Sequence, residues 1–410
     1  MYNENDSSKM NNKNKTRYWI LLTLTLMLLT SALTCFILLF TGNPFRKMIA
    51  NDSNAKAVND YMELLNAIES LYIGEYDTSD LSTAAMRAAV EALDDRWSYY
   101  MTPEEYAQYL ISSRNQYAGI GVSVVIDEIT GGMAVIYTFS NSPADLAGIV
   151  GGDIIIGIDG EDISGLSLEE MKGLLARQIG DTVEIEVLRE DGSKEILSVV
   201  YDLIFDDPIS YQVLDNNIGY IRIKNFEGSS SDGFIYAVNA LIEQGVIGII
   251  YDVRYNGGGR VNEMTQMLDY LLPEGEIFVS VGHDGREDIT WSDPAMIDLP
   301  TVVLVDRYSF SAAEYFAATL MEYDYAQIVG EQTSGKSRSQ RTEILPHGGA
   351  LHISTSQYLT RNRVALYDAG GLVPNYILSL SDDDFNHFLS GRLNVEEDAQ
   401  ITFAISLLTD

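Results

Sequence analysis

Cysteine is nearly absent: Cys35 is the single one in 410 residues. No intrachain disulfide can form, and no cysteine-based zinc site exists. Histidine is scarce too, and His283, His347, His352 and His387 are scattered without metal-ligand spacing. Positive charge is in deficit, with 26 Lys and Arg against 60 Asp and Glu and a net charge of −34. So acidic a surface repels phosphate backbones and argues against a nucleic-acid partner. There is no internal repeat and no G-x-S-x-G elbow of the Ser-His-Asp hydrolases.

What is present suffices for packed cores. The chain is 46% apolar and 21% charged, which excludes wholesale disorder. Its length suits two or three domains. Tyr18 to Phe40, YWILLTLTLMLLTSALTCFILLF, runs 23 residues without a charge. At about 1.5 Å rise per residue it reaches roughly 34 Å, enough to cross a bilayer core. Lys9, Lys13, Lys15 and Arg17 precede it, and Arg46 and Lys47 follow. The expectation is a cytoplasmic tail over 1–17, a single-pass anchor over 18–40 and an extracytoplasmic remainder. The competing reading is a cleaved signal peptide, whose apolar core is normally about 7–15 residues. Cys35 is read as an ordinary membrane residue, because Thr34 is a poor lipoprotein cleavage residue and FILLF continues the span. Residues 1–42 carry a net charge of +2 and the rest −36, so all the acidity lies beyond the anchor, where it serves solubility.

Residues 41–55 read as a linker. Val58, Tyr61, Leu65, Ile68 and Tyr72 recur at helical spacing, as do Leu81, Ala85, Ala88, Ala89 and Ala92. Thr102-Pro103-Glu104-Glu105 is a helix start, so 56–112 is expected to be a helical region. Over 113–205 short β-rich runs are separated by turns such as Asp159-Gly160 and Asp191-Gly192, with one helix over Ser167 to Ala176. Over 217–380, within a domain expected over 206–410, strands such as Ile218 to Ile223 and Thr301 to Val305 alternate with helices, which predicts an α/β layered domain.

Three stretches carry chemistry. Asp252-Val253-Arg254-Tyr255-Asn256-Gly257-Gly258-Gly259 follows a strand and opens a helix. Its glycines suit an anion or an oxyanion, or simply a tight turn. Tyr308-Ser309-Phe310-Ser311-Ala312-Ala313-Glu314 places two serines at a strand-to-helix turn, where one can cap the helix and the other react. Gly330-Glu331-Gln332-Thr333-Ser334-Gly335-Lys336-Ser337 formally matches the phosphate loop, but SRSQRTEILPHGG after it is a poor helix. Lys336 is a general base only when neutral, which requires its pKa to fall by about three units, roughly 4 kcal/mol. Otherwise it is a solvated surface lysine.

Together these stretches resemble the C-terminal processing peptidases, or tail-specific proteases, over roughly residues 56–405. The family's S-x-S-A-x-E lands on Ser309 to Glu314, with the nucleophile on Ser311, and G-E-x-T-x-G-K lands on GEQTSGK, with the base on Lys336. Gln340 four residues on matches the family's supporting glutamine, and DVRYNGGG makes Gly258 an oxyanion donor beside the Ala312 N–H. YAGIGVSVV (Tyr117 to Val125) and SPADLAGIVGGDIIIGIDGEDI (Ser142 to Ile163) resemble a PDZ domain. LDDRWSYYMTPEEY (Leu93 to Tyr106) is similar to the segment before it. Departures are Ser337 for the usual glycine, Gly257 for a common proline and Asn375 for an expected aspartate.

The resemblance implies an α/β peptidase core with an inserted PDZ domain, a Ser/Lys endopeptidase without cofactor or metal. Gly119, Ile120, Gly121 and Val122 would receive the free, apolar C-terminus of a protein substrate. A homo-oligomer through 56–112 is also implied. Two rivals stand beside it: an inactive PDZ scaffold, which binds tails without turnover, and an ATPase using the GEQTSGKS loop.

Overall fold

The structure is a computed structural model. It describes residues 52–409 except Glu128, Ser140, Ser390 and Gly391, together with Trp19, Thr23, Thr25, Leu26, Met27, Leu29 and Thr30. The tail expected over 1–17, most of the anchor over 18–40 and most of the linker over 41–55 lie outside the described residues. Those seven residues of the anchor stretch are helical. Among the described residues no helix is long and apolar enough to cross a membrane.

The chain divides into two units at Leu81. In the first, α1 (Asp52–Leu71) leaves Val58, Met62, Leu64 and Leu71 at least half exposed. Then come α2 (Thr78–Glu91), β1 (Tyr99–Met101) and α3 (Pro103–Ser112). The start signal at Thr102 is a complete capping box: Glu105 N–H donates to Thr102 Oγ1 and Thr102 N–H to the Glu105 carboxylate. Residues 56–112 are not wholly helical, however. Tyr99–Met101 pairs with Ala350–His352 as an edge of a sheet of the α/β part of the chain. Three residues are too short for a period-two pattern to declare itself.

The β-rich segment comprises β2 (Gln116–Gly119), β3 (Val122–Ile126), β4 (Met133–Thr138), α4 (Pro143–Ala147), β5 (Ile154–Ile158), β6 (Glu161–Asp162), α5 (Leu168–Leu174), β7 (Thr182–Leu188), β8 (Lys194–Val200) and β9 (Asp202–Phe205). One sheet runs β3-β4-β5-β7-β8, with β3 at its edge. Met133, Ile155, Ile163, Met171, Ile185 and Val187 fill its core. The entry strand β2 pairs antiparallel with the exit strand β9, Gln116 opposite Phe205 and Gly119 opposite Asp202. Such pairing brings the two ends of an inserted domain together. Asn115 fastens this root: its amide donates to Glu227 O (2.9 Å) and its carbonyl accepts from Asn225 (2.8 Å).

The remaining elements are β10 (Ile209–Leu214), β11 (Ile218–Ile223), α6 (Ser230–Glu243), β12 (Gly248–Asp252), α7 (Val261–Leu271), β13 (Gly275–Gly282), β14 (Glu287–Ser292), β15 (Thr301–Val305), α8 (Ala312–Glu322), β16 (Ala326–Gly330), β17 (Arg338–Ile344), β18 (Ala350–Leu359), α9 (Leu366–Ala369), β19 (Tyr376–Ile377), α10 (Asp382–Leu389) and α11 (Ala399–Thr409). One sheet has the order β10-β11-β12-β15-β16-β19, parallel from β11 onward. Both its faces are covered, which is why GIIY and TVVLV read as unbroken apolar runs. Alternate residues divide between the faces: Ile221, Ile249, Tyr251, Val303 and Val305 pack under α6, α7 and α8, while Tyr220, Ile250, Val302 and Leu304 pack with Ile401 and Ala404 of α11. A second sheet, β1-β18-β13-β14 with β17 on β18, lies beside it.

A buried ionic cluster ties α11 to the end of β12. Arg254, 1% exposed, holds Asp252 through Nε (2.9 Å) and its second η nitrogen (2.6 Å), and Asp398 through the first (2.7 Å). Asp398 also accepts the Gln400 and Ile401 N–H groups at the start of α11. Asp398→Ala removes a counter-charge and a helix cap together. It should cost about 3–5 kcal/mol, read as a lowered urea midpoint, because half of a buried ion pair is left uncompensated.

Candidate active site

Because β12, β15 and β16 are adjacent and parallel, their C-terminal ends open on one edge of the sheet, where ligands bind in such folds. The three stretches singled out from the sequence are the loops that leave those ends. DVRYNGGG follows β12, YSFSAAE joins β15 to α8, and EQTSGKS leads from β16 to β17.

The two serines separate cleanly. Ser309 is fully buried; its hydroxyl donates to Val253 O (2.7 Å) and accepts from the Asp306 N–H (3.0 Å). It fastens the turn and is spent. Ser311 stands at the mouth of α8 with φ +59° and ψ −125°, a conformation L-residues rarely hold. Strain of this kind costs of order 1–3 kcal/mol and persists where the surroundings enforce it. Nucleophile elbows use the same device to present a hydroxyl. The Ser311 and Ser339 hydroxyls lie against the Tyr358 phenol, whose pKa burial pushes up to about 12.

The enforcing group is Glu314, in the first turn of α8 and fully buried. Its Oε2 accepts the Ser311 N–H at 2.9 Å and the Lys336 N–H at 2.8 Å. The two peptide nitrogens can be no farther apart than those bonds laid end to end. Its Oε1 accepts the Gly335 N–H at 2.6 Å and the Thr333 hydroxyl. Burial still raises the Glu314 pKa against these four donors. The sequence motif contained this glutamate without a role; its place three residues after the serine, where a capping carboxylate stands, was the available signal.

The same bonds exclude the phosphate-loop geometry. The N–H groups of Gly335 and Lys336, which a phosphate would need, point at a carboxylate. The segment that follows is the strand β17, not a helix.

Lys336 is half-buried. Burial first, and then the Arg96 guanidinium, lower its pKa to about 8, against the opposing charges of Asp95 and Glu314. Its Nζ lies 4.1 Å from the centroid of Trp97, in the segment leading to β1. Among the described residues no hydrogen bond joins it to Ser311. Ser337, where glycine is usual, is 2% exposed, and its hydroxyl accepts from the Tyr367 N–H (2.6 Å) and the Tyr315 phenol (3.1 Å). The departure is thus absorbed as a strut. Gln340 donates its amide to Ser354 Oγ (3.0 Å) and Arg338 O (3.1 Å), and not to the lysine.

Gly258 abuts the serine: a Cβ there would sit 2.8 Å from Ser311 Cβ and 3.0 Å from Ala312 N, and its φ is +89°. Its N–H, however, donates to Asn256 Oδ1 at 2.8 Å. An oxyanion held there displaces that side-chain oxygen. The Ala312 N–H, first in α8, has no acceptor among the described residues. Asp306 braces the two loops, its Oδ1 accepting from the N–H groups of Tyr255 (3.0 Å) and Tyr308 (2.9 Å). Cavities of about 390 and 520 Å³ share Ser337, Arg338 and Tyr367 as lining.

In the β-rich domain Ile120 and Gly121 are buried at the turn from β2 to β3. Ile120 O accepts from Ala144 N–H (2.8 Å), and Gly121 O from Phe139 N–H (3.0 Å) and Ser142 Oγ (3.1 Å). Gly119 ends β2 and Val122 opens the edge strand β3; Val122, Val124 and Leu168 of α5 pack on one core.

Residues 217–378 match the family model "Peptidase family S41", and residues 118–199 match "PDZ domain". The chain is a serine-type peptidase carrying a PDZ domain. The carboxy-terminal processing protease CtpA of Bacillus subtilis (strain 168) is 29% identical over 346 residues, covering 83% of this chain and 72% of that protein. A carboxyl-terminal-processing protease of Synechocystis is 28% identical over 331 residues, covering 79% and 76%. The solved structure of a "Putative S41 protease" from Bacteroides fragilis NCTC 9343 shares the fold, with a TM-score of 0.58, 18% identity and coverage of 82% and 92%.

Glu314→Gln in this serine peptidase exchanges an acceptor oxygen for a donor, leaving at least one of its four buried partners unmatched. Stability should fall by about 1–3 kcal/mol in a thermal melt. Peptide hydrolysis should fall by more than the melt accounts for, because the serine and lysine loops lose their shared anchor.

Proposed function

We propose that this serine peptidase is a membrane-anchored carboxyl-terminal processing endopeptidase of the S41 family, with Ser311 as nucleophile and Lys336 as general base. The observation that carries the reading is the single Glu314 oxygen on which the backbones of both residues are bonded. The strained φ of Ser311 and the lowered pKa of Lys336 support it.

Neutral Lys336 takes the proton from Ser311 Oγ as the oxygen attacks the peptide carbonyl. The Ala312 N–H, and the Gly258 N–H once it turns from Asn256, hold the oxyanion. The lysine ammonium then protonates the leaving amine, and water hydrolyses the acyl-enzyme. Gln340 acts at one remove, through Ser354, whose N–H donates to Ser98 Oγ and so to the Asp95 carboxylate beside the lysine. No cofactor is required.

The PDZ domain receives the free, apolar C-terminus of a protein substrate. N–H groups at Ile120, Gly121 and Val122, just after Gly119, meet the carboxylate, and β3 adds the tail as a strand beside α5. Residues 18–40 anchor the enzyme, with the N-terminus cytoplasmic and the substrates extracytoplasmic. The exposed apolar residues of α1 support a homo-oligomer through 56–112.

With an unstructured protein ending in apolar residues as substrate, kcat/KM should rise with pH through about 8, since the lysine must lose its proton. Ser311→Ala and Lys336→Ala should each lower kcat by roughly a thousandfold or more. Lys336→Arg should fail equally, because arginine stays protonated. Full turnover by Lys336→Ala contradicts the reading, and tail binding without turnover by the unaltered chain favours a scaffold. Gly121→Val places a Cβ 2.3 Å from Ser142 Cβ at φ +79° and should raise KM for tailed substrates while leaving hydrolysis of short peptides unchanged.

A further inference from the structure

Trp97 stands between two cations and the catalytic turn. The Lys336 Nζ lies 4.1 Å from its ring centroid, and the Arg96 guanidinium carbon 4.3 Å from the same ring. Phe310, the residue before Ser311, packs against the indole with centroids 5.8 Å apart. The backbone that carries the ring is fastened. The Trp97 backbone N–H donates to Asp95 Oδ1 (3.3 Å), Asp95 Oδ2 accepts from Ser98 Oγ (2.6 Å), and Ser98 Oγ accepts from the Ser354 N–H (3.0 Å) on β18. The cavity of about 390 Å³ opens beside it, between Asp95, Arg96, Ser337 and Arg338.

An aromatic face attracts the ammonium and not the neutral amine. The indole therefore favours the form of Lys336 that cannot act as a base. We propose that Trp97 is a positioning residue for Lys336: its indole holds the resting lysine as an ammonium off the Ser311 hydroxyl, and release from the indole delivers the neutral amine to the serine. This inference rests on the Ser311/Lys336 reading. Every charged neighbour is already in the balance. Asp95 and Arg96 face the lysine from the segment before β1, Glu314 from α8 and His352 from β18, while Arg338 is drawn to Asp95 at 3.6 Å. Burial and Arg96 push the lysine toward the neutral form; Asp95, Glu314 and the indole hold it charged. Trp97 meets the reaction only at the Lys336 amine, so its effect is exerted through the lysine.

The test is the pH dependence of kcat/KM for the full chain carrying Trp97→Phe or Trp97→Leu, with Lys336→Ala alongside. Losing the indole should move the acid limb to lower pH, by up to about one unit for Trp97→Leu and by less for Trp97→Phe. One unit below the wild-type midpoint, Trp97→Leu should then run several-fold closer to its own plateau. A role in packing alone lowers the plateau and leaves the limb in place, and that result overturns the proposal. Should Trp97→Leu fail to fold, Trp97→Phe decides by the direction of its shift. An unmoved limb with an inactive Lys336→Ala overturns the role of Trp97 and leaves the lysine base standing. An active Lys336→Ala overturns the lysine base itself.

Discussion

One carboxylate organises the site. Glu314 gathers the N–H of Ser311, the N–H groups of Gly335 and Lys336 and the hydroxyl of Thr333. A buried carboxylate without partners would cost several kcal/mol or simply take up a proton. Four donors offset most of that, although burial still wins and its pKa stays raised. The dependence runs both ways. The donors need the acceptor, and the acceptor holds a serine in a backbone conformation it would otherwise leave. Two loops from different strands are joined through this one side chain.

The sheet makes that junction possible. Parallel neighbours β12, β15 and β16 deliver three loops to one edge, and a core covered on both faces fixes their spacing. The buried Arg254 cluster anchors the loop after β12 from beneath, and Asp306 braces it against the serine loop from the side. The lysine is placed by contrary forces. Its loop is bonded to Glu314 while its amine reaches Trp97, so Lys336 answers to the segment that leads into the PDZ domain as well as to the peptidase core.

Much of this was legible in the residues. Unbroken apolar runs such as TVVLV declared buried parallel strands, and Ile218–Ile223 and Thr301–Val305 fall where the pattern placed them. The capping box at Thr102 was plain because it is local. The second sheet was not. Arg338–Ile344 is polar and shows no alternation, and its pairing with β18 is decided by tertiary contacts. At the site, Ser311 and Lys336 were visible as motif positions, whereas Glu314 and Trp97 were not visible as partners. A shared acceptor and a ring under an ammonium are long-range facts, carried by folding alone. Gly258 shows a further limit: glycine at a turn signals close approach, but not that its N–H already has a partner.

The central claim of the proposed mechanism is that the Ser311 hydroxyl is nucleophilic because the Lys336 amine can lose its proton and reach it. Labelling the intact protein with a fluorophosphonate and mapping the adduct by mass spectrometry tests this without any substrate. The account predicts a single adduct on Ser311, forming faster as pH rises through about 8 and absent from Lys336→Ala. An adduct on another serine, or labelling of Ser311 that ignores both pH and the lysine, would contradict it.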